Sequence, residues 1–104
     1  MADYVLSNKA DADLGDIYVF SYRAFGETKA DTYFLGLSDC LRMLAKNPRL
    51  GHPADDIQPG LFRYDHGRHA VFYVVESGGI FVVRILHQAM DMGRHIDPAK
   101  KDEP

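Results

Sequence analysis

Small and apolar side chains recur at helical spacing through Ala10, Leu14, Ile17, Tyr18, Ser21 and Phe25, which predicts an amphipathic helix. Ser7 or Asn8 can cap its start, Asp11 and Asp13 put negative charge in the first turn, and Gly26 can take the left-handed conformation that ends many helices. A short strand, Tyr4 to Leu6, precedes it. A second stripe, Ala30, Tyr33, Phe34, Leu37, Leu41 and Leu44, predicts a helix capped by Thr28 and stopped at Asn47, because Pro48 disfavours helical geometry in the residue before it. So short a link between the two implies an antiparallel helical hairpin whose two apolar stripes both need cover.

Asn47 to Gly60 holds three prolines and two glycines and predicts a loop of about 13 residues, either a docking surface or a stiff connector carrying the chain out of the hairpin. Beyond it the pattern changes. Leu61–Asp65, His69–Glu76 and Ile80–His87 are rich in Val, Ile, Phe and Tyr, and Gly78-Gly79 signals a two-residue hairpin turn. These segments predict three antiparallel strands, with Ser77 opposite Ile80, so that Val75 pairs with Val82, Tyr73 with Arg84, Val71 with Leu86, Val74 with Val83 and Phe72 with Ile85. Both faces of this hairpin are largely apolar, whereas a sheet with helices on one side ordinarily shows a polar opposite face. The second face therefore calls for a partner or for the chain's own C-terminal segment. Gln88 to Ile96 suits a short final helix, and residues 97–104 read as a flexible charged tail. The pattern as a whole is an α+β domain over residues 1–96.

Composition changes this picture little. With 104 residues, 46% of them apolar, the chain can fill one modest core. Its longest apolar run is far short of the roughly 20 residues that span a bilayer, and its start lacks a signal-peptide pattern, so a cytoplasmic protein without membrane contact is expected. The net charge is −3, which argues against direct DNA binding, since nucleic-acid affinity rests on neutralising phosphates. Cys40, set among Leu37, Leu41 and Leu44, reads as a buried helix residue and has no disulfide partner.

Several segments carry a family resemblance. Asn47-Pro48-Arg49-Leu50-Gly51-His52-Pro53, Pro59-Gly60 with Arg63, Val71-Phe72-Tyr73, and above all Arg84-Ile85-Leu86-His87 with Met90-Asp91 after it are together similar to the ParE branch of the RelE/ParE toxin superfamily. The likeness extends over about residues 3 to 96. It implies a strand, a helix hairpin packed on a small antiparallel sheet and a short C-terminal helix. It also implies the toxin of a type II toxin–antitoxin system of the plasmid-stabilising kind, which inhibits DNA gyrase by binding, without turnover or cofactor. Such a toxin forms a hetero-oligomer with a ParD-like antitoxin. The family pattern turns Val71, Tyr73, Val75, Val82 and Leu86 toward the helices, although hydrophobicity alone would choose the opposite face. Where family members carry basic or polar residues this chain has Phe62, Val74 and Phe81, which makes its outer sheet surface unusually apolar.

Two groups of residues are nominated in this way. Arg84, His87, Met90, Asp91, Arg94 and His95 are target-binding candidates, and Phe72, Val74, Phe81, Val83 and Ile85 are antitoxin-binding candidates. The alternative is a ribosome-dependent ribonuclease of RelE type, for which Arg63, Arg68, Arg84, His69 and His87 would supply cations and an acid or base. Leu61 to Ile96 contains no lysine, so the lysine-rich site typical of those nucleases is missing. Arg84, turned inward, would need a carboxylate such as Asp13 or Asp16, and His87 suits a structural hydrogen bond at the strand end. His66 and His69 lack further ligands for a metal site. Asp55-Asp56 read as solvated charges, and no phosphate-cradling glycine motif is present.

Overall fold

In a computed structural model of the chain, residues 3–89 and Ile96 are described. Strand β1 (Asp3–Leu6) leads into α1 (Asn8–Phe25) and α2 (Glu27–Lys46). After a 3-10 turn at Pro48–Leu50 and a two-residue strand β2 (His52–Pro53) come β3 (Leu61–His66), β4 (His69–Glu76) and β5 (Gly79–His87). The expected α+β arrangement holds, with the helix hairpin packed against the sheet.

Ser7 caps α1 as expected, its Oγ accepting from the backbone N–H of Ala10 at 2.9 Å. The same hydroxyl donates to the carbonyl of Val83, which fixes the start of α1 to the sheet. Ala10, Leu14, Ile17 and Ser21 are buried, but Phe25, assigned to the stripe, is exposed because it lies in the last turn, past the edge of the sheet. Only Gly26, at φ +90°, separates the helices, so α2 begins at Glu27 without a side-chain cap. Thr28 therefore lies inside α2 and does not cap it.

The sheet has five strands in the order β1-β5-β4-β3-β2, with β1 running parallel to β5. It is thus mixed. The hairpin turn falls one residue earlier than the sequence suggested: Glu76 pairs with Gly79, leaving Ser77 and Gly78 in the bend. The glycines divide the work. Gly78 adopts φ +83° in the turn, whereas Gly79 pairs with Asp3, and a Cβ there would collide with the Asp3 carbonyl oxygen.

A bulge opposite Phe72/Tyr73 then shifts the register by one residue. Tyr73 pairs with Val82, but Phe72 pairs with Arg84 and Val71 with Ile85, because an extra residue in β5 reverses the alternation beyond it. The pairs expected from a regular hairpin are corrected accordingly.

Two apolar clusters result. Toward the helices, Val71, Tyr73, Ile80, Val82 and Ile85 pack with Leu14, Ile17, Leu37, Leu41 and Leu44. On the opposite face Leu61, Ala70, Phe72 and Leu86 pack with Ala54 from the long loop and with Ile96. The family parity holds for Val71, Tyr73 and Val82. It fails for Leu86, which the bulge turns to the outer cluster, while Val75 pairs with Ile80 on the helix-facing side but is exposed near the hairpin end.

Candidate functional site

The residues nominated from the sequence fall at two places. One is the end of the sheet where β5 finishes beside α1, and the other is the outer face. Met90, Asp91, Arg94 and His95, and with them the expected final helix, lie outside the described residues.

At the sheet end, the Asp13 carboxylate on α1 receives Arg84 through Nε at 2.8 Å and Nη2 at 2.9 Å, and the backbone N–H of Ile85 at 3.0 Å. Of the two carboxylates expected to meet Arg84, Asp13 and Asp16, it is Asp13 that does so. A bidentate guanidinium–carboxylate contact with a third donor fixes both partners, and the bulge supplies that donor by bringing the Arg84–Ile85 backbone within reach of α1.

Beside it lies an imidazole cluster. His69 pairs with His87 across β4 and β5, their rings 5.4 Å apart edge to face. The Tyr33 hydroxyl stands 2.6 Å from His69 Nδ1 and 3.2 Å from the His66 carbonyl, and it accepts from the backbone N–H of Arg68 at 3.3 Å. Burial, reinforced by His87 and His66, pulls the His69 pKa from 6.5 to about 4, so at neutral pH its ring is uncharged. His87 Nδ1 accepts from the backbone N–H of Ala89 at 3.0 Å, the strand-end hydrogen bond foreseen for it.

Between α1 and this strand end is a groove of about 240 Å³. Ile17 and Ile85 give it apolar walls, Phe20 and the Leu86 position border it, and Asp13, Asp16, His69 and His87 bring its polar groups. Among the described residues no set of three or more His, Cys, Asp or Glu could hold a metal ion. Of the other nuclease candidates, Arg68 adjoins the cluster, its carbonyl accepting from the Gln88 N–H at 2.9 Å, whereas Arg63 pairs with Asp65 and lies over the Phe72 ring.

On the outer face the antitoxin candidates divide. Phe72 is fully buried beneath the loop and Ile96, and Ile85 faces the helices, so neither presents a surface on this side. Both are corrections with named causes: the loop residue Ala54 and Ile96 cover the middle of the face, and the bulge turns Ile85 inward. Val74, Phe81 and Val83 stay partly exposed. Val5 pairs with Phe81 and Phe81 with Val74, so these three form an apolar row across β1, β5 and β4, with Val5 58% exposed.

Sequence reasoning counted Tyr33 and Tyr73 only as apolar stripe residues and missed their hydroxyls. Tyr73 donates to the Pro48 carbonyl at 2.7 Å and accepts from the Gly51 N–H at 3.0 Å, binding the 3-10 turn to the sheet. The prolines of that segment were the available signal that such a tie was needed.

Known proteins match this arrangement along most of its length. A family model described as the ParE toxin of the type II toxin–antitoxin system parDE matches residues 4–92. The chain belongs to the ParE toxin family. Toxin ParE1 of Mycobacterium tuberculosis (strain CDC 1551 / Oshkosh) is 39% identical over 94 residues, covering 89% of this chain and 96% of that protein. Toxin ParE1 of Caulobacter vibrioides is 35% identical over 96 residues, covering 92% and 99%. A solved chain from the chromosomal ParDE TA system of P. aeruginosa superposes with a TM-score of 0.70 at 23% identity, over 84% of this chain and 96% of that one. It supports the same ParE fold of two helices on a mixed sheet. No helix among the described residues is long and apolar enough to cross a membrane.

Proposed function

We propose that this ParE toxin inhibits DNA gyrase by binding, without turnover, and that a ParD-like antitoxin neutralises it by covering the apolar row of Val5, Phe81 and Val74 together with Val83. The observation that carries this is the row itself. A sheet face already sealed in its middle by the chain's own loop leaves a strip of large apolar side chains in water, which is a mark of protein recognition. Arg84 and His87 at the sheet end are proposed to support the target-binding surface, with Met90, Asp91, Arg94 and His95 beyond them as its further candidates. Against a ribonuclease stand a neutral His69, an Arg84 engaged by Asp13, and the Asp16 carboxylate beside the groove, which would repel a phosphodiester.

Expression without antitoxin should halt DNA synthesis first, with filamentation, and the purified chain should block gyrase supercoiling. Collapse of amino-acid incorporation before DNA synthesis, with new cuts in ribosome-bound transcripts, would establish the ribonuclease instead. For the row, Phe81→Glu should weaken antitoxin binding by about 2 kcal/mol or more while costing the fold under about 1.5 kcal/mol. Phe72→Ala should do the reverse, costing about 3–5 kcal/mol of stability as a core truncation. Equal effects of the two on melting would place Phe81 in the core and remove it from the interface.

A further inference from the structure

We infer that the groove between α1 and the end of β5 is a subsite for one long cationic side chain, an arginine or lysine presented by the antitoxin; this rests on the antitoxin reading above. At about 240 Å³ the groove falls below the roughly 300–1,000 Å³ usual for small-molecule sites and matches a single side chain. Ile17 and Ile85 offer an apolar wall for an aliphatic stem, and Phe20, 67% exposed on α1, can cover it from the solvent side. Among the described residues Phe20 is the most exposed of the large apolar side chains, and its position beside the groove is what an incoming stem would bury.

The charge at the groove selects the head group. Asp13 already has Arg84 and the Ile85 N–H, so its charge is matched. Asp16, one helical turn on, has no ion pair or hydrogen bond among the described residues. It is therefore the unmatched negative charge beside the groove, next to an uncharged His69. A guanidinium or ammonium at the end of an aliphatic stem satisfies both halves of this site, as cationic side chains do when the stem is buried and the head stays near water. An anion would meet Asp16 unfavourably, and a purely apolar side chain would gain nothing from it.

The site can be read without any antitoxin by titrating the full chain with n-butylguanidinium and tracking the amide and side-chain resonances of Phe20, Ile85 and His87. Saturable shifts are expected, with a dissociation constant on the order of 10 mM for so small a ligand. 1-Pentanol should bind more weakly, and Asp16→Asn should reduce butylguanidinium affinity roughly threefold to tenfold. Equal binding of pentanol, or no saturable shift, overturns the inference. So does a groove that admits the probe only in Arg94→Gln, since the occupant would then be the chain's own arginine. In a second arm, a ParD-like antitoxin is titrated with native and Asp16→Arg chains. A loss of about tenfold or more in Asp16→Arg supports the antitoxin as the source of the cation, and unchanged affinity overturns that assignment. If even the native chain fails to bind that protein while the probe still saturates, the antitoxin reading falls and the cation preference of the groove is upheld.

Discussion

At the scale of single residues, the sheet end is governed by which charges have partners. Asp13 and Arg84 are each mostly buried, with side-chain exposures of 13% and 17%, so removing Asp13 takes a bidentate carboxylate from Arg84 and the acceptor from the Ile85 N–H in a poorly solvated place. Asp13→Ala should cost about 2–3 kcal/mol in urea unfolding. Asp13→Leu combined with Arg84→Met should recover most of that loss, and a double variant as unstable as the single one would show that the pair contributes beyond mutual compensation. His69 gives a pH signature of known sign. Its folded pKa of about 4 lies below the ordinary 6.5, so the unfolded chain takes up a proton that the folded chain refuses as pH falls between those values. The stability due to neutral His69 is complete above pH 6.5 and is lost progressively toward pH 4. His69→Gln keeps a polar side chain that can hydrogen-bond but cannot titrate, and should flatten the fall in melting temperature across that window. An unchanged slope would assign the acid sensitivity to another group.

At the scale of elements, Gly79 sets the spacing between β1 and β5. A methyl group there has no room against the Asp3 carbonyl, and φ +155° is strained for any side chain. Gly79→Ala should cost about 1–3 kcal/mol and speed amide exchange in Asp3–Leu6, whereas Gly78→Asn, in the turn, should cost much less. This strand pair also marks where the sequence stops being legible. Both helices, the Ser7 cap and the three long strands can be read from periodicity and capping chemistry, because those signals are local. The turn lies one residue before its expected place because Gly78-Gly79 looks like a single device, while one glycine serves the bend and the other serves a strand 76 positions away in register. The bulge carries no signature in Val82-Val83-Arg84-Ile85, and without it the strand alternation puts Leu86 and Ile85 on the wrong faces. The Arg84–Asp13 pair was legible because a charge in an apolar strand demands a partner. Tyr33 with His69, and the groove beside Phe20, were not legible, since they arise only when distant elements meet.

At the scale of the whole molecule, the outer cluster is a second, smaller core in which the loop residue Ala54 and Ile96 cover side chains of three strands. Ile96 is 3% exposed, against Leu61, Phe72 and Leu86. Ile96→Ala should therefore lower stability by about 2 kcal/mol or more, a loss of several degrees in melting temperature for a chain of this size. It should also increase dye binding to the exposed outer face; unchanged melting would show that Ile96 adds little to the seal. The parallel pairing of β1 with β5 has a consequence in time. Ser7 donates to Val83, 76 positions further along, so the first strand and the start of α1 have nothing to dock against until β5 has been synthesised. At about 5–20 residues per second, that leaves a lag of roughly 4 to 15 seconds during which the nascent chain holds an unpaired strand and an uncovered hairpin. The folded domain, and with it the apolar row of Val5, Phe81 and Val74, is thus completed only near the end of the chain's own translation.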